Sequence, residues 1–192
     1  MTQLSLKTCD HVSQIEWPAK QTKVSLQSKA IELVTDFQKN RPLVIDYNTK
    51  AVEAEYLMKK AHVKLKLVLD ENNQFVGTLS FNDLNNQEII KKVASGDSRA
   101  DLRVSDFMKT KSVLTSLEWQ ALESASLRSL IQFLASSDDQ HILVTNNEGT
   151  TVRGLISASD IARTLHLNVN LNLPVSFRLI SDAVNILDQN AA

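Results

Sequence analysis

The apolar positions of the chain fall into two stretches that run through the same succession of periodicities. In the first, Leu43-Val44-Ile45 is a run of strand length that ends at Asp46-Tyr47-Asn48. Ala51, Ala54, Met58 and Ala61 then share one face of a predicted helix, with Thr49 placed to cap it. Leu65 to Leu69 reads as a strand, Asp70 to Asn73 as a turn, and Gln74 to Leu79 as a second strand. A helix is predicted from about Phe81 to Ala94, with Leu84, Ile90 and Val93 inward. The order is strand, helix, strand, strand, helix.

Ser95-Gly96-Asp97-Ser98 breaks the pattern, and Val104 to Met108 opens a second stretch. A short strand is predicted near Val113-Leu114-Thr115, and a long helix from Leu117 to Ser136. His141 to Thr145 reads as a strand, Asn146 to Gly149 as a turn, Val152 to Ile156 as a strand and Ala158 to Leu165 as a helix. The first twenty-odd residues, with Trp17-Pro18 as a break, read as an irregular arm. Leu26, Ala30, Ile31, Val34 and Phe37 fall at helical spacing and predict an amphipathic helix from Ser25 to Gln38. Asn40-Arg41-Pro42 stops it, because a residue before proline disfavours the helical region. In the tail, Pro174 is a break. Ser176 is placed to cap a last helix with Phe177, Ile180, Val184 and Leu187 on one face.

The duplication shows at residue level. Gly77-Thr78-Leu79-Ser80-Phe81-Asn82-Asp83-Leu84 matches Gly154-Leu155-Ile156-Ser157-Ala158-Ser159-Asp160-Ile161. Both read Gly, two residues, Ser, two residues, Asp, then a branched aliphatic. Each sits at the same strand-to-helix junction, and a fixed internal repeat of this kind governs the fold. The expected division is an arm and helix at 1–41, units at 42–96 and 102–167, and a tail helix at 168–192.

These features resemble cystathionine-β-synthase-type (CBS) domains over about Pro42 to Leu167. The twin Gly-x-x-Ser-x-x-Asp junctions, the Val104–Met108 opening and the strand–turn–strand before each junction carry the resemblance. It implies a stand-alone, bacterial-type tandem CBS pair, or Bateman module. The fold class it implies is α/β, with two units packed in pseudo-twofold symmetry, an N-terminal helical extension and a C-terminal helix. The family's Pro-Val-Val-Asp pattern before the turn is replaced here by Leu67-Val68-Leu69-Asp70 and Leu143-Val144-Thr145-Asn146.

By the same resemblance, Ser80, Asp83, Ser157 and Asp160 are the ribose and phosphate contacts of an adenosine ligand such as AMP, ADP or ATP. The chemistry suits them. Free N–H groups where a helix begins attract phosphate, the hydroxyl adds a donor, and a carboxylate can accept ribose hydroxyls. The same spacing is also close to a capping box, which satisfies the helix's own donors, and the two roles can coexist. The expected function is nucleotide-sensing regulation in trans of an unidentified protein partner. The alternative is a ligand-free scaffold for dimerisation and protein interaction. Either way a homodimer is expected, because the helices beginning at Thr49 and Leu117 carry spare apolar positions, among them Leu127, Leu130, Ile131, Phe133 and Leu134.

Composition narrows the classes. The chain has 192 residues, 43% hydrophobic and 22% charged, as a globular protein does. A net charge of −1 provides no field for nucleic acid or anionic membrane. Cys9 is the single cysteine, so no internal disulfide is expected. With no secretory signal or membrane-spanning run, the expected compartment is the cytoplasm. Four glycines write no phosphate loop, and His11, His62, His141 and His166 have no ligand spacing. No nucleophile-and-base pair is legible, so no enzyme is expected. His141 reads as a partly buried strand residue, and Arg153, Arg163 and Lys66 as solvated charges.

Overall fold

The computed structural model describes residues 13–14, 24–84, 86–94, 96, 98–146 and 148–191. Most of the expected irregular arm, with Trp17-Pro18 and Cys9, lies outside the described residues, as do Ser95 and Asp97 of the expected break. The strands are β1 (Thr35–Asp36), β2 (Val44–Asp46), β3 (Leu65–Leu69), β4 (Phe75–Ser80), β5 (Lys109–Thr110), β6 (Ser116–Glu118), β7 (His141–Thr145) and β8 (Val152–Ser157). The helices are α1 (Ala51–Lys60), α2 (Asn86–Ala94), α3 (Trp119–Ser124), α4 (Leu127–Phe133), α5 (Ala158–Thr164) and α6 (Phe177–Ala191).

The strands form two four-stranded sheets, ordered β2-β3-β4-β5 and β1-β8-β7-β6. Each sheet holds one parallel pair, β2 with β3 or β6 with β7, and one antiparallel hairpin. The hairpins share a register: Val68 lies opposite Gly77 and Val144 opposite Gly154, with an irregularity one residue later in both. The residue-level repeat is therefore a repeat in three dimensions.

Each sheet is completed by an edge strand from the other half of the chain. β5 precedes the second unit's helices yet pairs with β4, and β1 precedes the first unit yet pairs with β8. The repeated glycines make this exchange possible. Gly77 lies opposite Thr110, and a Cβ there would collide with the Lys109 carbonyl oxygen. Gly154 lies opposite Asp36, and a Cβ would sit 2.6 Å from Val34 Cγ1 and 2.9 Å from the Thr35 carbonyl oxygen. A strand glycine that admits a neighbouring backbone is a known use of the residue.

Two cores follow from the two units. Ile45, Ala54, Met58, Val68, Leu79 and Leu84 fill the first, joined by Leu102, Val104 and Phe107. Leu127, Ile131, Val144, Ile156 and Ile161 fill the second, joined by Ala30 and by the tail residues Val175, Phe177, Ile180 and Val184. Each large tail side chain buried there contributes about 1.5–3 kcal/mol. Ser176 caps α6 as expected: its Oγ accepts the Leu179 N–H at 3.3 Å.

Several local expectations are corrected. Residues 25–38 are not a helix; they form a 3-10 turn at Ala30–Leu33 and then β1. The long helix expected from Leu117 to Ser136 is β6, α3 and α4, broken at Ala125-Ser126. One contact explains both. The Ala30 N–H donates to the Ala125 oxygen, and the Leu127 and Arg128 N–H groups donate to Ser28 and Leu26 oxygens. Those backbone groups are used between segments, so neither segment can use them within a helix. Ser126 restarts the helix by accepting the Ser129 N–H at 3.1 Å.

The strand expected at Val113–Thr115 lies at Ser116–Glu118, after a 3-10 turn at Lys111–Val113. The residue before α1 is Lys50, not Thr49, and makes no side-chain cap. The helix expected from Phe81 opens with a separate 3-10 turn, Phe81–Leu84. In α2 it is Ile89 that is buried, while Ile90 and Val93 face solvent, because the 3-10 turn shifts the phase of the helix after it.

Candidate functional site

The end of β4 carries the first junction. Ser80 closes the strand opposite Leu65, and the 3-10 turn follows at once. The Ser80 N–H donates to Asp83 Oδ2 at 2.9 Å, and the Asn82 N–H donates to Ser80 Oγ at 3.2 Å. The two side chains thus satisfy free donors of the turn, which is the capping half of the expectation. Because the turn has four residues, the expected anion site of a long helix is not formed here; side chains must supply it. Burial pushes the Asp83 carboxyl up from its ordinary range. The Ser80 N–H and the Lys109 charge oppose that, and Glu88 adds to it.

Ser80 and Asp83 face a cleft of about 130 Å³ between the two halves. β5 contributes Lys109, and the segment after it contributes Val113, Leu114 and Thr115. The opposite wall is Asp138 to His141, with Leu143 and Leu155 behind. The cleft therefore has an apolar side, from Leu65, Val113, Leu114, Leu143 and Leu155, and a polar side at the junction. An apolar wall with a few placed polar groups is the usual make-up of a small-molecule site.

The charges around the cleft are mostly spoken for. Lys109 Nζ lies 3.6 Å from Asp139, and Arg178 of α6 lies 3.0 Å from Asp138. Burial pushes the His141 pKa down to about 4; Asp160 opposes the shift and Lys64 adds to it. His141 is neutral at pH 7 and presents an imidazole rather than a charge.

The second junction is different. Ser157 closes β8 and precedes α5 without a side-chain cap, and Asp160 is held by Arg163 Nη1 at 2.5 Å. Neither residue lines the cleft that holds Ser80 and Asp83. Of the other cations considered, Lys66 Nζ donates to the Val44 oxygen. Arg153 is not a solvated charge: it stacks 3.5 Å over Trp119 and lies 3.6 Å from the buried Asp36. Sequence reasoning did not find Lys109, Asn82, Thr115 or Gln140 as cleft residues. The glycine at 77 leaves room for a backbone beside β4, but nothing in the sequence identifies that backbone as Lys109. Among the described residues no three His, Cys, Asp or Glu side chains are grouped to hold a metal, and no helix is long and apolar enough to cross a membrane.

The architecture is a duplicated α/β module with exchanged edge strands and a polar cleft between its halves. Residues 34–87 match the family model of the CBS domain, and the whole architecture is the fold of solved CBS-pair structures. An uncharacterized conserved protein from Pyrococcus horikoshii shares the fold with a TM-score of 0.54 at 20% identity, over 77% of this chain and 98% of its own. CBSX2, solved in complex with AMP, does so with a TM-score of 0.51 at 19% identity, over 71% and 94%. A conserved CBS-domain protein of unknown function from Thermoplasma acidophilum does so with a TM-score of 0.50 at 17% identity, over 78% and 76%. No curated protein sequence matches the chain.

Proposed function

We propose that the chain is a cytoplasmic regulatory module that senses an adenosine nucleotide at the Ser80/Asp83 junction and acts in trans on a partner protein. The observation that carries this is the placement of the Asp83 carboxylate in a two-sided cleft. Among the described residues the Ser80 N–H engages Oδ2 alone, and an ionised carboxylate can accept about four hydrogen bonds. Asp83 can therefore hold ribose hydroxyls without giving up its cap. The leucine-rich wall suits the base, and Ser80, Asn82 and Lys109, which line the same cleft, offer donors suited to a phosphate. The AMP held by the CBS-pair relative supports the ligand class. At the second junction, Ser157 and Asp160 would serve an equivalent ligand only after Asp160 exchanges Arg163 for ribose.

A thermal-shift screen of nucleotide-free protein with AMP, ADP, ATP, NAD and S-adenosylmethionine tests the proposal. A ligand at a hundredfold excess over its Kd adds about 2.7 kcal/mol of stability. Asp83→Ala is expected to abolish that response while costing about 1 kcal/mol for the lost cap. If none of the five compounds moves the melting curve, the scaffold reading replaces this one.

The scaffold reading draws on exposed apolar side chains, and the same surface leads us to expect a homodimer. Of the residues expected to be spare, Leu127, Leu130, Ile131 and Leu134 are buried in the protein's own core, and only Phe133 is exposed. Open apolar side chains lie on α1 and α2, where Val52, Tyr56, Leu57, Ile90 and Val93 face solvent, and on α6, where Leu179, Ile186 and Leu187 do. Light scattering is expected to give twice the 21.4 kDa chain mass, and Tyr56→Glu to halve it. A wild-type monomer at high concentration would count against this.

A further inference from the structure

The helical face of the second unit is covered by its own chain. α6 lies across α4 and α5 and buries Phe177, Ile180 and Val184 in their core. The matching elements of the first unit are α1 and the 3-10 turn Phe81–Leu84 that leads into α2. Two isolated bridges fix the correspondence: Lys50 with Arg103 and Ser126 with Lys29, each made by the residue before the helix. Counted from those residues, Val52 matches Arg128 and Glu55 matches Ile131. Arg128 is held by Asp188 of α6 at 2.6 Å, and Ile131 is buried. Val52 is exposed and Glu55 is half-buried. Among the described residues no helix covers them, because the chain after α2 turns back through Leu102 and Val104 into the first core.

The bare face is self-complementary. Glu53, Tyr56 and Lys60 fall at i, i+3 and i+7, in one exposed line on the side of α1 away from the buried Ala51, Ala54 and Met58. The line runs from an acid at its N-terminal end, through an aromatic ring, to a base at its C-terminal end. Two copies of α1 laid antiparallel across a twofold axis set each Glu53 against Lys60 of the other copy. The axis then passes between Tyr56 and Leu57, whose exposed side chains meet their own images there. The outer side of α6 lacks this property. Asp182 stands between its exposed Leu179 and Ile186, and two copies meeting about that point would set Asp182 against itself.

We infer that two copies of the chain associate through α1 and α2 of the first unit alone, with α1 antiparallel about a twofold axis between Tyr56 and Leu57. α6 takes the matching face of the second unit out of the interface. This rests on the homodimer expected above and assigns its surface and register. A twofold contact uses the same patch on both copies, so assembly closes at two.

Sedimentation equilibrium of the full chain tests this, with Lys60→Glu, Glu53→Lys, the double variant and Ile186→Glu alongside. All three positions are exposed, so the variants keep the fold. Wild type is expected at twice the 21.4 kDa chain mass. The twofold axis repeats the Glu53–Lys60 contact, so either single reversal puts like charges together twice and is expected to raise the dimer Kd about tenfold. The double variant restores opposite charges across the axis and is expected to return to within about threefold of wild type. It also sets a base at the N-terminal end of α1 and an acid at the C-terminal end, against the helix dipole, so its recovery cannot come from a better helix. Ile186→Glu is expected to leave the Kd unchanged. A dimer indifferent to the single reversals, a double variant as weak as the singles, or a dimer dissociated by Ile186→Glu overturns the inference and leaves the homodimer standing. A wild-type monomer overturns both, and nucleotide sensing stands in each case.

Discussion

Replacing Gly77 by valine is expected to cost at least about 3 kcal/mol of stability, the upper end of what overpacking a folded interior does. Even the Cβ of alanine would collide with the Lys109 carbonyl oxygen, with the Lys109 carbonyl carbon 3.1 Å away and Thr110 Cα 3.3 Å away. All three are backbone atoms of the exchanged strand, so no side-chain rotation relieves the clash; β5 must leave β4. Gly154→Val is expected to cost less. Its nearest obstacle is a side-chain atom, Val34 Cγ1 at 2.6 Å, although the Thr35 oxygen follows at 2.9 Å. Gly149→Ala serves as a control, since it meets nothing within 4 Å; with φ at +65° its cost is conformational, about 1–2 kcal/mol. Urea unfolding midpoints across the four proteins should rank wild type, Gly149→Ala, Gly154→Val and Gly77→Val, from most to least stable. Gly77→Val within about 0.5 kcal/mol of wild type, the usual spread of surface substitutions, would remove the exchanged strand as the reason for the glycine. The Gly77 change should also disturb the cleft, because Lys109 lines it from β5.

This glycine pair also shows what the chain disclosed before its structure. The Gly-x-x-Ser-x-x-Asp repeat placed both junctions correctly at the ends of β4 and β8, since it combines strand ends, turn chemistry and duplication in eight residues. The exchanged strands were illegible. Thr35–Asp36 and Lys109–Thr110 are two residues long, too short for any alternation to register. The false helix at 25–38 had genuine helical spacing. Leu26, Ile31, Leu33 and Val34 do pack on the second core, but the backbone groups of Leu26, Ser28 and Ala30 pair with Arg128, Leu127 and Ala125, far along the chain. The far wall of the cleft, Asp138 to His141, is contributed by the other unit and carries no motif. Local chemistry was readable, and what depends on the two halves meeting was not.

The sharpest pH effect is expected from that far wall. His141 is pushed from 6.5 down to about 4, chiefly because burial penalises its charged form. Asp160 on α5 pulls the other way, Lys64 adds to the shift, and the neighbouring Lys109–Asp139 pair carries one charge of each sign. A folded pKa below the unfolded one means that the unfolded chain binds the proton first. Stability is therefore full above about pH 6.5, falls as pH drops toward 4, and levels off once the folded imidazole also protonates. At 1.36 kcal/mol per pKa unit the whole loss is about 3 kcal/mol, with about 2 of it present by pH 5. Asp83 acts in the opposite sense. Its raised pKa favours the folded state as pH falls through the carboxylate range, so it offsets part of the loss at the acid end. The window from pH 7.5 to pH 5 isolates the histidine best. His141→Leu is the natural comparison, because Leu65 occupies the matching position at the start of β3. Denaturant unfolding at both pH values should show wild type losing about 2 kcal/mol more than the variant across that window. Equal losses in the two proteins would mean that the His141 ring charges freely in the folded cleft, and that burial there is not what keeps it neutral.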